Sequence, residues 1–167
     1  NLDVDDNNKL RVGTSSDLEI FHDGSHSYIK DTGTGALYID TNDIRIMNAA
    51  EDEYMIRAIQ NSYVKLYYDG SAKFETTSEG SKAYGILRVE GAEGEDGKLI
   101  IQADDGDDFA DMWRLRALAA SQQLKLEYVN TGGNWETAIE ANGDGSVELY
   151  YNDVKKLHTR SDGIEVS

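Results

Sequence analysis

The sequence predicts an all-β protein built from repeated β-hairpins, and three observations support this prediction. Apolar and polar residues alternate in short runs, and clusters of Gly, Asn, Asp, Ser and Thr separate these runs. One hairpin pattern occurs three times along the chain. The chain contains no proline, a residue that would remove hydrogen-bond donors from central strands. We therefore expect a meander of hairpins.

The hairpin pattern is clearest in residues 64–74 and returns 83 positions later in residues 147–157. Residues 18–28 form a third, looser copy. Each copy has apolar residues at alternate positions, an aromatic residue at its fourth position and a pair of turn residues. Asp, Asn and Gly tolerate the positive φ angles of a tight hairpin turn. The turn pairs are Asp23-Gly24, Asp69-Gly70 and Asn152-Asp153.

Strand alternation assigns the side chains of the central copy to two faces. Val64, Leu66 and Tyr68 fall on one face, and Lys65 and Tyr67 fall on the other. Because a single hairpin cannot bury its apolar face, the repeats must stack on one another or on other chains.

The order of these patterns divides the chain into two modules. Residues 1–16 form a polar lead-in with one short strand at 10–12, and residues 17–89 form the first β-repeat module. A Gly-rich acidic loop at 90–98 precedes the second module, residues 99–167. The first module has alternating runs at 18–22, 28–30, 36–40 and 43–47, and the second has them at 99–103, 112–118, 124–128, 135–141 and 147–151.

Alternation in the second module predicts shared faces within single strands. We expect Trp113, Leu115 and Ala117 on one face, Leu124, Leu126 and Tyr128 on one face, and Trp135, Thr137 and Ile139 on one face. A helix is the alternative in two segments, 54–60 and 109–123, and in the second of them apolar residues lie at helical spacing. We favour a strand at 54–60 because Tyr54, Ile56 and Ala58 alternate, and at 109–123 because the neighbouring runs alternate strictly.

Composition favours a thin core that is shared between subunits. Leu, Ile, Val and Phe account for 36 of the 167 residues, just above the roughly 20% below which highly charged chains are disordered. The net charge of −16 also opposes compaction of a single chain. We expect Leu66 and Leu149 in the shared core. The alternative is an acidic, monomeric β-sandwich.

Charge and composition also exclude several classes of function. With 16 basic against 32 acidic residues, the chain lacks the positive charge that binds nucleic acid or anionic membranes. Its apolar runs are too short for a membrane-spanning helix. The absence of cysteine removes disulfides, thiolate chemistry and cysteine-bound zinc.

No motif in the sequence indicates catalysis, and we expect that the protein is not an enzyme. The Gly-x-Ser-x-Gly and Walker motifs are absent. Pairs of carboxylates are frequent only because acidic residues are frequent, although a glycosidase uses such a pair. A polysaccharide-degrading fragment therefore remains as an alternative function.

Calcium is the only cofactor that the sequence suggests, and the suggestion is weak. Asp104, Asp105, Asp107 and Asp108 surround a glycine, and Ca²⁺ takes six to eight oxygen ligands. The simpler interpretation is a solvated acidic turn. Lesser candidates are the acidic residues at 3–7 and the Asn142–Gly145 turn.

Histidines and tyrosines supply the remaining candidates for binding. His22 and His26 flank a turn, and we interpret them as surface or interface residues rather than metal ligands. Tyr68 and Tyr151 share the apolar face and are expected to pack in the core or between chains. Tyr67 and Tyr150 face the other way and are either structural or platforms for a sugar ring.

Several segments resemble repeats in the tail fibre and tailspike proteins of tailed bacteriophages, notably marine phages. The resemblance involves residues 66–77 and 147–159, with residues 21–29, 113–117 and 134–137 in support. It implies an elongated, intertwined homotrimeric fibre, like a β-prism or triple β-helix, located in the virion. It also implies contact with other tail proteins and a role in attachment to a glycan or protein receptor on the host cell. The repeats of this family carry no catalytic residues. A monomeric carbohydrate-binding or adhesin β-sandwich remains as a further alternative.

Overall fold

The computed structural model describes residues 1–103, 108 and 111–167, and its regular secondary structure consists of antiparallel β-strands. The described residues contain no helix that is long and apolar enough to cross a membrane. The chain divides into two compact units, Asn1–Tyr84 and Gly85–Ser167. The expected all-β meander is confirmed, because consecutive strands pair in sequence order within each sheet.

The first unit contains two sheets. Sheet A has three strands, β1 (Lys9–Val12), β2 (Leu18–His22) and β3 (Ser27–Asp31). Sheet B has five strands, β4 (Asp43–Met47), β5 (Tyr54–Ile59), β6 (Val64–Tyr68), β7 (Ser71–Thr77) and β8 (Gly80–Ala83).

The second unit contains one sheet of seven strands, sheet C. Its strands are β9 (Gly97–Gln102), β10 (Met112–Ala117), β11 (Gln123–Val129), β12 (Trp135–Asn142), β13 (Val147–Tyr151), β14 (Val154–Arg160) and β15 (Gly163–Val166). Strand β9 therefore begins within the predicted Gly-rich loop at 90–98.

Both segments with ambiguous periodicity contain strands, as expected. Strand β5 lies within residues 54–60, and β10 lies within residues 109–123. The prediction of a strand at 36–40 is wrong, because these residues form an irregular connection between sheets A and B. Leu37, Tyr38 and Ile39 are all exposed there. The sequence of this segment alternates as a strand does. It forms no strand because no neighbouring strand supplies hydrogen bonds to its backbone.

The two clearest hairpins have the predicted two-residue turns. Asp69 and Gly70 have φ angles of 51° and 67°, and Asn152 and Asp153 have φ angles of 49° and 53°. Two consecutive positive φ angles match the twist of the flanking strands. The third copy differs, because four residues connect His22 to Ser27. The Asp23 carboxylate accepts backbone hydrogen bonds from Ser25 and His26, which stabilises this longer turn.

The 83-residue repeat extends to the pairing of whole strands. Val64 donates its backbone N–H to Thr76 Oγ1 at 2.8 Å, and Val147 donates to Thr159 Oγ1 at 2.9 Å. Register shifts follow Leu66 in one hairpin and Leu149 in the other. Because β8 and β15 also occupy corresponding positions, the last three strands of sheets B and C are equivalent.

A β-bulge in β12 changes the predicted side-chain assignment. Leu126 pairs with Ile139, but Glu127 pairs with Thr137, so Ala138 has no partner of its own. The extra residue places Trp135 and Thr137 on the opposite face from Ile139. The prediction that these three share one face is therefore wrong. Sheet B contains the same irregularity, with Met55 as the extra residue between Tyr54 and Ile56.

Candidate interaction surface

One row of apolar side chains crosses all seven strands of sheet C. Each member pairs directly with the next one on the neighbouring strand, from β9 to β15. We call this row the ladder of sheet C, and the side of the sheet that carries it the ladder face. The ladder consists of Leu99, Leu115, Leu126, Ile139, Leu149, Leu157 and Val166.

The ladder is partly exposed along its length. Leu99, Leu115, Ile139 and Leu149 are between 38% and 40% exposed, and Val166 at the edge is 78% exposed. A side chain in a closed hydrophobic core is almost fully buried. The ladder therefore has the apolar composition of a protein core, but its side chains are not buried as core side chains are.

Sheets A and B carry the same feature on a smaller scale. In sheet A, Leu10 pairs with Ile20, and Ile20 pairs with Ile29. In sheet B the row crosses five strands, and several of its members are exposed. It consists of Ile46, Ile56, Leu66, Phe74 and Ala83.

The opposite side of sheet C is charged, and its charges are paired. Arg114 Nε lies 2.5 Å from Glu127 Oε2, and Arg116 Nη2 lies 2.7 Å from Glu127 Oε1. Lys125 Nζ lies 2.8 Å from Glu140 Oε2 on the next strand. We call this side the charged face. Because its charges are paired, it requires no second molecule to neutralise them.

Burial in sheet C occurs on the charged face. Glu127 is 3% exposed, Glu140 is 7% exposed and Val129, on the same face, is 3% exposed. The Arg114 guanidinium lies over the Trp135 ring, 3.9 Å from the ring centroid, and helps to cover this side. The long polar side chains thus cover one face of the sheet, whereas the ladder face lacks comparable cover among the described residues.

Sheet B has a charged face of the same kind. Asp43 accepts hydrogen bonds from Arg45 and Arg57, and these two guanidinium groups hold the pKa of its carboxyl well below the usual range. Lys65 Nζ lies 3.2 Å from Glu75 Oε1. The predicted faces of β6 are confirmed, because Lys65 belongs to this charged side and Leu66 to the ladder.

The tyrosine pairs differ as the alternation predicted. Tyr68 and Tyr151 lie on the ladder faces, next to the hairpin turns, and are 73% and 69% exposed. Tyr67 lies on the charged face, with its ring centroid 5.7 Å from that of Tyr54. Tyr150 donates a hydrogen bond to Glu148, and burial together with this bond raises the pKa of its phenol. These contacts indicate a structural role for Tyr67 and Tyr150.

The calcium prediction falls largely on residues outside the described part of the chain. Asp104, Asp105 and Asp107 lie there, whereas Asp108 is described and exposed. Among the described residues, no cluster of three metal-ligating side chains occurs. In the Asn142–Gly145 turn, the Asp144 carboxylate accepts hydrogen bonds from the Ser146 backbone N–H and hydroxyl.

The two histidines near the first turn contact different neighbours. His22 Nδ1 lies 3.1 Å from Ser27 Oγ, and His26 is exposed beside Asp23. These contacts place both side chains at the surface, as the sequence predicted.

A further group of side chains is brought together only by the fold. Trp113 and Tyr128 face each other across β10 and β11, and Glu136 follows on β12. The sequence separates Glu136 from Trp113 by 22 intervening residues, and its proximity to Tyr128 depends on the bulge at Ala138. The sequence analysis missed this group because it could not predict which residues pair across neighbouring strands.

In comparisons with family models, with curated proteins and with solved structures, no match to this chain was found.

Proposed function

We propose that the chain is a structural segment of a bacteriophage tail fibre, in which three copies cover one another's ladder faces. The observation that carries this proposal is the apolar row across every strand of sheet C, opposite a charged face whose ion pairs are already formed. The occupant of the ladder face is a second copy of the same chain.

The size of the ladder supports an extended interface. Seven strands at about 4.8 Å spacing give a row about 29 Å long, and flanking residues such as Leu124 and Val147 widen it. Apolar patches on monomers seldom exceed about 300–600 Å². An uncovered face of this length would promote association, so a partner must cover it in the working assembly.

Charge supports a partner with the same ladder. Each chain carries a net charge of −16, so two copies repel wherever their acidic residues meet. The ladder contains no charged residue, and contact through it keeps the acidic residues of the charged face, such as Glu127 and Glu140, on the outer side. Burial of leucine and isoleucine side chains then supplies the favourable free energy.

The repetition of the ladder supports a fibre rather than a compact dimer. Three consecutive sheets each present one apolar face, as expected for a chain that contacts its partners repeatedly along its length. The viral assignment itself depends on the resemblance of residues 66–77 and 147–159 to phage tail fibre repeats. On this proposal the segment belongs to the virion, joins other tail proteins and contributes to host attachment without enzymatic activity.

The molar mass in solution tests the assembly. Light scattering coupled to size-exclusion chromatography should give three times the chain mass of 18.5 kDa, with early elution because the particle is long. The measurement is repeated with a chelator. Dissociation on chelation would assign a structural role to calcium, whereas a compact 18.5 kDa monomer would contradict the proposal.

A further inference from the structure

The cleft at one end of β10 and β11 combines an exposed aromatic surface with fixed polar groups. Trp113 is 41% exposed, although its ring packs against Tyr128 with 5.4 Å between centroids and 39° between planes. Asn130, Glu136 and Asn152 line the same cleft. One side of the indole is therefore available to a ligand, next to carboxylate and amide groups.

The polar groups of the cleft are held in place. Tyr128 Oη donates a hydrogen bond to Glu136 Oε2 at 2.6 Å, and Asn130 Nδ2 donates one to Glu136 Oε1. These two donors hold the pKa of the Glu136 carboxyl below its ordinary value. The Asn130 side-chain oxygen accepts the backbone N–H groups of Gly132 and Asn134, at 2.9 Å and 3.1 Å. The cleft is thus preorganised, and its ionised carboxylate has lone pairs left for a ligand hydroxyl.

The hairpin framework does not require this arrangement. Glu53 corresponds to Glu136 in the 83-residue repeat, and Asn48, whose backbone N–H bonds to the Glu53 carbonyl, takes the place of Tyr128. Sheet B ends at β4, so it has no strand in the position that β10 and Trp113 occupy in sheet C. Sheet B therefore has no counterpart of the Trp113–Tyr128 pair, although the first unit has a stacked aromatic pair of its own, Phe21 with Tyr28 in sheet A.

We propose that this cleft, formed by Trp113, Tyr128, Asn130, Glu136 and Asn152, binds one sugar ring of a neutral glycan. The apolar C–H face of a pyranose would pack on the exposed side of Trp113, while its hydroxyl groups donate to Glu136 and contact the amides of Asn130 and Asn152. A purely apolar ligand would remove water from the Glu136 carboxylate without replacing its hydrogen bonds. An anionic ligand would be repelled by Glu136.

The site goes beyond the proposed structural function and does not depend on it, since one unit of one chain supplies every group. Trp113 and Tyr128 lie on the ladder face, two residues along their strands from Leu115 and Leu126, and Glu136 lies beside Tyr128. The proposed assembly therefore accommodates the site only where contact between copies is confined to the ladder and does not reach this end of the face.

Saturation-transfer NMR on the intact chain tests the site with a panel of neutral methyl pyranosides, namely the glucoside, galactoside, mannoside and N-acetylglucosaminide. Each sugar is used at about 50 mM, so that a site with a Kd of about 1 mM is saturated. At least one sugar should show transfer through its C–H face. Absence of transfer to every member of the panel would overturn the proposal, as would stronger transfer to an anionic sugar such as sialic acid.

Variants separate the cleft from the rest of the surface. Trp113→Ala should weaken binding about tenfold or more, since it removes the stacking surface. Glu136→Gln should weaken it less, because the amide oxygen still accepts a hydroxyl. Trp135→Phe is the matched control, because Trp135 lies on the opposite face beneath Arg114. Circular dichroism and molar mass are measured on each sample. If Trp113→Ala is folded, keeps its molar mass and still binds the sugar, the proposed site is wrong. The assembly proposal would not be affected.

Discussion

Arg114 and Glu127 lie opposite each other across β10 and β11, with 2.5 Å between Nε and Oε2, at a carboxylate that is 3% exposed. The same carboxylate accepts a hydrogen bond from Arg116. A glutamate that binds two guanidinium groups is therefore among the most buried side chains of the described structure, while leucines on the other face are exposed. Sheet C buries its charged face, and its apolar face is the one that we propose a second copy covers.

Removal of this buried carboxylate should destabilise the second unit. Glu127→Ala leaves two guanidinium groups without their partner in a covered site, and we expect a loss of about 2–3 kcal/mol in the free energy of unfolding. Glu127→Gln keeps the side-chain volume and one acceptor, so its loss should be smaller. Urea unfolding monitored by circular dichroism measures both variants. If Glu127→Ala is as stable as the unmodified chain, the ion pairs of Glu127 with Arg114 and Arg116 contribute nothing to the free energy of unfolding.

A charge placed in the ladder should prevent assembly. Leu149→Asp introduces a carboxylate within the apolar row, where contact with a second copy would leave it desolvated and unpaired. We expect the trimer to dissociate. Ser161→Asp adds the same charge in the exposed turn between β14 and β15 and should retain the trimer mass. Light scattering measures the molar mass of both variants. An intact trimer for Leu149→Asp would show that the ladder is not part of the interface between copies. Leu66→Asp tests the ladder of sheet B in the same way.

The second position of the 69–70 turn should accept glycine far better than a β-branched residue. Gly70 has a φ angle of 67°, and a Cβ added there would come no closer than 3.8 Å to a neighbouring heavy atom. The cost of Gly70→Val therefore comes from backbone conformation rather than from a clash. We expect a loss of about 1–2 kcal/mol in the free energy of unfolding. Ser71→Val, on the adjacent strand position, is the control and should be nearly neutral, as thermal unfolding can show.

Acid should weaken sheet B through Asp43. Its folded-state pKa lies below the ordinary value of 3.8, because Arg57 and Arg45 donate hydrogen bonds to the carboxylate. A group with a depressed pKa stabilises the fold at pH values above its unfolded pKa, and this contribution decreases as the pH falls toward the folded pKa. We expect the melting temperature to fall below about pH 4.

Two comparisons isolate this effect from the general loss of negative charge. Asp43→Asn should lower stability at pH 7 and show a smaller further decrease between pH 4 and pH 2. Acid also relieves repulsion within a chain of net charge −16, so the series is repeated at high salt, where that repulsion is screened. Parallel melting curves for the two proteins across this pH range would contradict the assigned role of Asp43.

The sequence by itself determined the local structure, because that structure depends on short-range rules. Alternation predicted strands at 112–118 and 54–60, where a helix was the alternative, and Asp69-Gly70 predicted a turn with two positive φ angles. It also placed Leu66 and Lys65 on opposite faces, since side chains in an uninterrupted strand alternate. The segment at 36–40 alternates equally well yet forms no strand, because a strand also requires a neighbour to complete its hydrogen bonds.

Only the tertiary structure decided which residues on different strands meet. A single unpaired residue, Ala138, moves Trp135 to the charged face and brings Glu136 beside Tyr128, and no feature of the local sequence predicts where such a bulge will occur. The same registers align Leu115 with Leu126 and continue the row to Val166. Register depends on hydrogen bonds between strands that are distant in sequence, which is why both the ladder and the aromatic cleft became visible only in the folded chain.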